Sequence, residues 1–211
     1  MSDTDITTVR SKSVTVITTL VGMARWLSGT AERLQTAALE LFAARGYDQT
    51  TAADIAAAVG LTERTFFRHF TDKREVLFHG QQTLADAFLA GVHDAPPDAS
   101  PMQVSIGALR AALSYFPDDR RPQSRIRQSV IDVNPALQER EAHKLVGLGS
   151  TLAEALRARG VDDLAAEVAA RSVIMVFGIA FGRWVSAGDE RSFDDIVTDV
   201  LAELAALITG Q

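Results

Sequence analysis

The sequence predicts an all-α protein in two parts: an N-terminal three-helix helix-turn-helix domain and a larger C-terminal helical domain, about nine helices in total. Three observations predict it. Apolar residues recur at i, i+3, i+4 and i+7 through the long segments, the spacing of helices with one buried stripe, and strand-like alternation appears nowhere. Glycine and proline clusters cut those segments into helix-sized lengths. The charge is also unevenly divided. The formal net charge is −6, yet residues 25–79 carry seven basic and seven acidic side chains, so the deficit falls in residues 80–211. An acidic body repels polyanions, whereas a neutral module with outward arginines need not, and two parts with two jobs follow.

The chain has 211 residues, 47% of them apolar, enough to bury a core. The absence of cysteine excludes disulfides, thiolate chemistry and every Cys-based zinc site, and it suits a reducing cytoplasm.

Taken in order, residues 1–28 read as a flexible N-terminal arm. The run from Ser13 to Ala24 has the look of a secretory signal. However, Ser13, Thr15, Thr18 and Thr19 interrupt it, no small-x-small site closes it, and it is too short to cross a bilayer. Met23 is an alternative start. A first helix begins at Ser28 or Thr30, with Leu34, Ala37, Ala38, Leu41 and Phe42 as its stripe. Arg45 suits the helix dipole in the last turn, and Gly46 ends the helix. Thr51 caps the second helix, with Asp54 three residues on to reach back to the cap's amide. Ile55, Ala56 and Val59 face inward and Gly60 releases the chain. Leu61 fills the corner and Thr62 caps a third helix, whose inner face is Phe66 and Phe70. Its other faces carry Glu63, Arg64, Phe67, Arg68 and His69. A short helix, a glycine turn and a second helix with a basic outer face form the helix-turn-helix plan, in which the second helix enters the DNA major groove.

Asp72 is predicted to cap a helix running unbroken through Lys73, Val76, Leu77, Leu84 and Phe88 to about Val92. Pro96 and Pro97 break the chain. Helices are then expected over Met102–Phe116, from Pro122, from Asn134-Pro135 to about Arg159, from Asp162 or Asp163 through Trp184, and from Ser192 onward. The predicted domains are 29–76, which carries the helix-turn-helix, and 77–211, a larger helical body.

The stretch Ala38-Leu39-Glu40-Leu41-Phe42-Ala43-Ala44-Arg45-Gly46-Tyr47, then Thr50-Thr51, Ile55-Ala56, Val59-Gly60-Leu61-Thr62 and Thr65-Phe66-Phe67-Arg68-His69-Phe70-Thr71-Asp72-Lys73, resembles the TetR family of bacterial transcription regulators. The match covers about 50 N-terminal residues without gaps. The remainder has only the helical plan and length of the family's second domain, so the resemblance implies that 77–211 is a ligand-binding and dimerisation domain. The resemblance implies a homodimeric repressor, bound to double-stranded operator DNA and released when a small-molecule effector binds the C-terminal domain. Carried over residue by residue, Thr51 and Lys73 match phosphate contacts. Thr62, Glu63, Arg64, Phe67 and Arg68 match groove-facing positions, and His69 matches a backbone contact. Two departures stand out. Phe67 replaces a frequent tyrosine, leaving only its ring for sugar or a thymine methyl. Glu63 brings a negative charge to the duplex, tolerable where it accepts from a cytosine amino group. Arg64 and Arg68 are the candidates for reading guanine.

In the C-terminal part, Phe88, Met102, Leu109, Phe116, Ile126, Val130, Leu145, Phe177, Phe181 and Trp184 are candidate ligand-pocket residues, each also an ordinary core residue by type. Ser172 to Gly182 is the most apolar run. Arg171 and Arg183 bracket too few residues for a membrane span, so no membrane partner is expected. Gly178 and Gly182 permit close approach of a helix. Together with Phe193, Val197, Val200, Leu201 and Leu204 of the last helix they are candidates for a four-helix dimer interface. Arg120, Arg121, Arg125 and Arg127 read as a solvated charged face, with an anionic ligand as the alternative. Glu139 and His143 have metal-compatible spacing but no third ligand, so no metal or other cofactor is expected. No phosphate loop or nucleophile elbow suggests an enzyme. Two rival readings stay open at this level: a helical small-molecule binding protein with a vestigial helix-turn-helix, and a ligand-independent DNA-bound regulator.

Overall fold

The computed structural model describes residues 29–188 and 190–210, and the expected N-terminal arm lies outside them. Among the described residues there are nine α-helices and no strand. They are α1 (29–45), α2 (Ala52–Ala58), α3 (Glu63–His69), α4 (Gln81–His93), α5 (Pro101–Leu113), α6 (Arg121–Asp132), α7 (Pro135–Ala158), α8 (Asp163–Val185) and α9 (Phe193–Thr209). The chain divides into two compact units between His79 and Gly80.

The N-terminal unit is built on a small core of Leu34, Ala38, Phe42, Ile55, Ala56, Phe66, Phe70 and Val76, all buried. Local chemistry sets its corners. Thr51 and Asp54 form a capping box at the start of α2, and Gly60 turns the chain at φ +72° before Thr62 caps α3. Arg33 ties α1 to the end of α2 by donating to the Val59 carbonyl at 2.9 Å.

The expected single helix from Asp72 to Val92 is two elements. Asp72 does cap, accepting from the amides of Arg74 and Glu75, but it opens a 3-10 helix over Lys73–Phe78, and α4 starts afresh at Gln81. The cause is Gly80, which stands at φ +86° with the Tyr115 hydroxyl in the space a Cβ would need. α5 likewise stops at Leu113 rather than Phe116: the amides of Ser114, Tyr115 and Phe116 donate three residues back, to Ala111, Ala112 and Leu113, a tightened last turn that ends before Pro117. Asp118–Arg120 then makes one 3-10 turn into α6.

In the C-terminal unit α4 and α5 cross closely at Gly91, where an added Cβ would come within 2.6 Å of the Ala108 Cα. α8 is the central helix, burying Ala166, Ala169, Ala170, Val173, Ile174, Val176, Phe177, Ala180 and Trp184. At 23 residues it is, by length and composition alone, able to cross a membrane, which the shorter run between Arg171 and Arg183 did not suggest. Its buried stripe is instead part of this unit's core.

Two sequence expectations are corrected by the packing. Phe193, Val197 and Val200 face inward on α9 and belong to the unit's own core, so they are not free to meet a second copy. Leu201 and Leu204 are half-buried against the same core. The exposed apolar residues of this region are Leu164, Val168, Met175 and Ile179 on α8, beside the accessible Gly178 and Gly182, and Leu207 and Ile208 on α9. Nor are the arginines around Pro122 a solvated face. Arg121 is buried and donates to Asp118 and to the Arg191 carbonyl, and Arg125 donates to the carbonyls of Val185 and Ser186. Arg127 pairs with Glu141 at 2.7 Å, and Arg120 lies over the Tyr115 ring. Together Arg121 and Arg125 hold the connection between α8 and α9 against the start of α6.

Candidate nucleic-acid interface

α3 is a seven-residue helix held by its ends and by one ring. Thr62 accepts from the Thr65 amide at 3.3 Å and shares a hydrogen bond with the Thr65 hydroxyl at 3.0 Å. Phe66 is wholly buried, with Phe70 against it at 5.2 Å between ring centres. That anchoring leaves Thr62, Glu63, Arg64, Phe67 and Arg68 exposed on the opposite side. Phe67 stands edge-on to Phe66 and is 51% exposed, a large apolar ring kept in solvent between two arginines. Such a face offers two planar forks of donors, one acceptor and one apolar contact, the groups that read base edges in a major groove.

The residues expected to hold the backbone differ in their readiness to do so. Thr51 is exposed at the start of α2, and its hydroxyl donates to the Asp54 carboxylate at 2.6 Å while accepting from the Asp54 amide. Those hydrogen bonds from Thr51 hold the Asp54 carboxyl below its usual range. Lys73 is folded back rather than extended. Its ammonium donates to the Tyr47 carbonyl at 2.6 Å and lies 4.0 Å from the centre of the Tyr47 ring. Burial lowers its pKa, and nearby Asp48 opposes the shift. His69 does not share the outward position of its neighbours either. It is half-buried, its Nε2 has no protein hydrogen-bond partner, and burial first, then Arg68 and His79, push its pKa down. Sequence reasoning missed Tyr47 as the partner of Lys73. The signal available was an aromatic residue right after the Gly46 turn.

The candidate pocket residues of the C-terminal unit fall into two groups. Phe116 is the hub of an aromatic cluster, with ring centres 5.4–6.0 Å from Phe177, Phe181, Trp184 and Phe193. Phe88 joins through Phe177 at 6.0 Å. Phe193 was not among the expected lining residues. Leu109 is buried in the same core, with Met102 and Leu145 packed against it. Val130 is buried on α6 and Ile126 half-buried, but neither is a member of that cluster.

An all-helical chain with a capped two-helix corner, a glycine turn and an exposed arginine-bearing second helix is a helix-turn-helix DNA-binding protein. Comparison with known proteins narrows the class. Residues 34–79 match the family model of bacterial regulatory proteins of the tetR family, and residues 99–209 match the MftR C-terminal domain. The HTH-type transcriptional regulator TcmR of Streptomyces glaucescens is 34% identical over 167 residues, spanning 77% of this chain and 74% of that one. MftR of Mycobacterium tuberculosis is 26% identical over 161 residues, 75% of this chain and 81% of its own. The fold is also that of Thermus thermophilus FadR, a TetR family repressor solved with lauroyl-CoA (TM-score 0.52, 24% identity, 83% of this chain and 93% of that one). The chain belongs to the TetR family and is a DNA-binding transcription regulator.

Proposed function

We propose that the chain works as a homodimeric repressor on a palindromic operator and lets go when a small apolar effector enters the C-terminal unit. The observation that carries the reading is the outward face of α3, where Glu63, Arg64, Phe67 and Arg68 are exposed while Phe66 fixes the helix from behind. Arg64 and Arg68 read guanines, Phe67 meets a thymine methyl, and Glu63 accepts from a cytosine amino group. Thr51, His69 and Lys73 hold the phosphate backbone, and Thr62 lies at the groove. For Lys73 this uses the N–H groups left over from its bond to Tyr47. A neutral module with these cations binds DNA through counterion release, so affinity falls steeply with salt.

Two copies meet through the exposed stripe Leu164, Val168, Met175 and Ile179 of α8, with Gly178 and Gly182 allowing close approach and Leu204, Leu207 and Ile208 of α9 completing the four-helix contact. The paired α3 helices then lie about 34–36 Å apart, one turn of the duplex. The aromatic cluster takes the effector, and the two ligands compete by favouring different separations of the α3 helices. The protein acts in the cytoplasm, without a membrane partner, a cofactor or a catalytic step.

The test is fluorescence anisotropy with DNA from the promoter beside the chain's own gene, across a salt series, followed by selection from random DNA. Tight binding to a palindromic site with a steep salt slope is expected. Failure of the selection to yield any enriched palindrome would overturn the reading. In light scattering, Met175→Glu is expected to turn a dimer into a monomer; a wild-type monomer would overturn the dimer.

A further inference from the structure

Thr51 holds its hydroxyl by bonds within its own capping box, whereas Lys73 is held from another part of the chain. Its ammonium donates to the Tyr47 carbonyl at 2.6 Å and stands 4.0 Å from the centre of the Tyr47 ring. Both sides of this clasp are themselves fixed. Gly46 turns the chain at φ +86° directly before Tyr47, and the Tyr47 ring packs on buried Phe42 at 5.1 Å between centres. Opposite, the Asp72 side chain accepts from the amides of Arg74 and Glu75 and sets the start of the 3-10 helix that carries Lys73.

The kind of holding matters. Arg74 is bound to the Asp72 carboxylate by two hydrogen bonds, at 3.2 and 2.8 Å, so its charge is answered within the protein. Lys73 is met by a neutral carbonyl and a ring face, which attract an ammonium without setting a full opposite charge against it. The carbonyl takes one N–H of the ammonium and leaves the others. Half-buried Lys73 therefore keeps charge and donors for a phosphate oxygen. A free lysine would have to be immobilised on binding, at an entropic cost among the largest of any side chain. On Tyr47 that cost falls on folding instead.

Resting on the DNA-binding reading above, we propose that Tyr47 is a positioning residue for operator binding: its carbonyl and ring hold the Lys73 ammonium in place for a backbone phosphate, and the clasp stays closed on the DNA. Phosphates carry no sequence, so the contribution is the same on every duplex.

The test uses the full chain and two duplexes, the selected operator and one of random sequence, titrated by fluorescence anisotropy across a salt series. Lys73→Met should weaken binding to both by the same factor and flatten the plot of log affinity against log salt by about one for each chain bound. Tyr47→Leu should reproduce at least half of both effects, and Tyr47→Phe neither, since phenylalanine keeps the ring and the carbonyl. Tyr47→Leu combined with Lys73→Met should bind no more weakly than Lys73→Met alone. A tyrosine that only stabilised the fold would leave the salt slope unmoved. Three lysines are present, so carbon-13 labelling of lysine gives three Cε–Hε signals, of which Lys73→Met identifies one. In the parent chain that signal should lie upfield, shielded by the Tyr47 ring, and stay there when the random duplex is added. This measurement stands even where Tyr47→Leu does not fold. Unchanged affinity in Lys73→Met would overturn the inference, as would tighter binding by Tyr47→Leu, which would mean that the clasp withholds Lys73 from DNA. So would losses that add in the double variant, or a Lys73 signal that leaves the shielded position on DNA. A full effect of Lys73→Met with none of Tyr47→Leu would refute the inference alone, whereas a parent chain that binds neither duplex would refute the DNA-binding reading with it.

Discussion

The outer face of α3 and the aromatic cluster around Phe116 put side chains to work on opposite terms. On α3 the proposed DNA contacts are in solvent and touch little of the protein, and their placement comes from behind, through Phe66, Phe70 and the Thr62 cap. In the cluster the same rings that would meet a ligand also make the core, with Phe88, Trp184 and Phe193 almost wholly buried. Stability and recognition are therefore separable in the first region and fused in the second. That difference makes the proposed DNA-reading face free to change residue by residue, while any change in the cluster is felt by the whole unit.

The largest expected effect tests the scaffold behind α3. Phe66→Ala should cost about 3–5 kcal/mol in chemical denaturation and abolish DNA binding with it, because the helix loses its only fully buried ring. If binding survived, α3 would not depend on that anchor. In the other unit, Gly91→Ala forces α4 away from Ala108 and should lower stability by about 1–3 kcal/mol, despite alanine's better helix propensity. Thermal unfolding would show it, and a neutral result would mean the helices can slide apart.

Arg68→Ala and Arg64→Ala should each weaken operator binding by about 1–3 kcal/mol and relax base preference at one position. Their stability should stay within about 0.5 kcal/mol of the parent, as expected for exposed side chains. Loss of stability comparable to the loss of affinity would mean that folding and recognition are fused on α3 as well. Thr62→Ala removes the α3 cap and should cost about 1 kcal/mol of stability, with Thr62→Ser restoring most of it.

The smallest effect expected is of pH on the N-terminal unit. Burial holds the His69 pKa below the ordinary value of 6.5, so folding favours the neutral ring. Its contribution is fully present above pH 6.5 and is lost as pH falls through the lowered folded value, since the unfolded chain then binds the extra proton. The melting temperature should drop on acidification from neutrality, and His69→Leu should flatten that drop. An unchanged slope in the variant would assign the pH response to other groups.

Much of this was readable in advance where the cause is local. Thr51, Thr62, Asp72, Asn134, Asp162 and Ser192 all cap as their types and positions suggest, because a cap needs only a side-chain oxygen and the next two or three amides. Gly46 and Gly60 turn the chain at positive φ for equally local reasons. Gly80 was missed because nothing in its neighbours marks a break. The reason lies at Tyr115, thirty-five positions along the chain. Arg121 misled in the same way, since an arginine beside a proline turn looks solvated until the α8–α9 connection comes down on it.

The sequence by itself therefore determined most of the helices, their caps and the outward face of α3, because backbone periodicity and capping act within a turn or two, but not the break at Gly80. Tertiary structure alone decided what those faces meet. α8 and α9 are apolar over more than one stripe, and hydrophobic spacing does not say which stripe turns inward. Packing placed Phe193, Val197 and Val200 in the core and left Leu164, Val168, Met175 and Ile179 outside. Packing also buried the unpartnered indole of Trp184 beside Arg121, a juxtaposition that arises only when α6 and α8 are brought together.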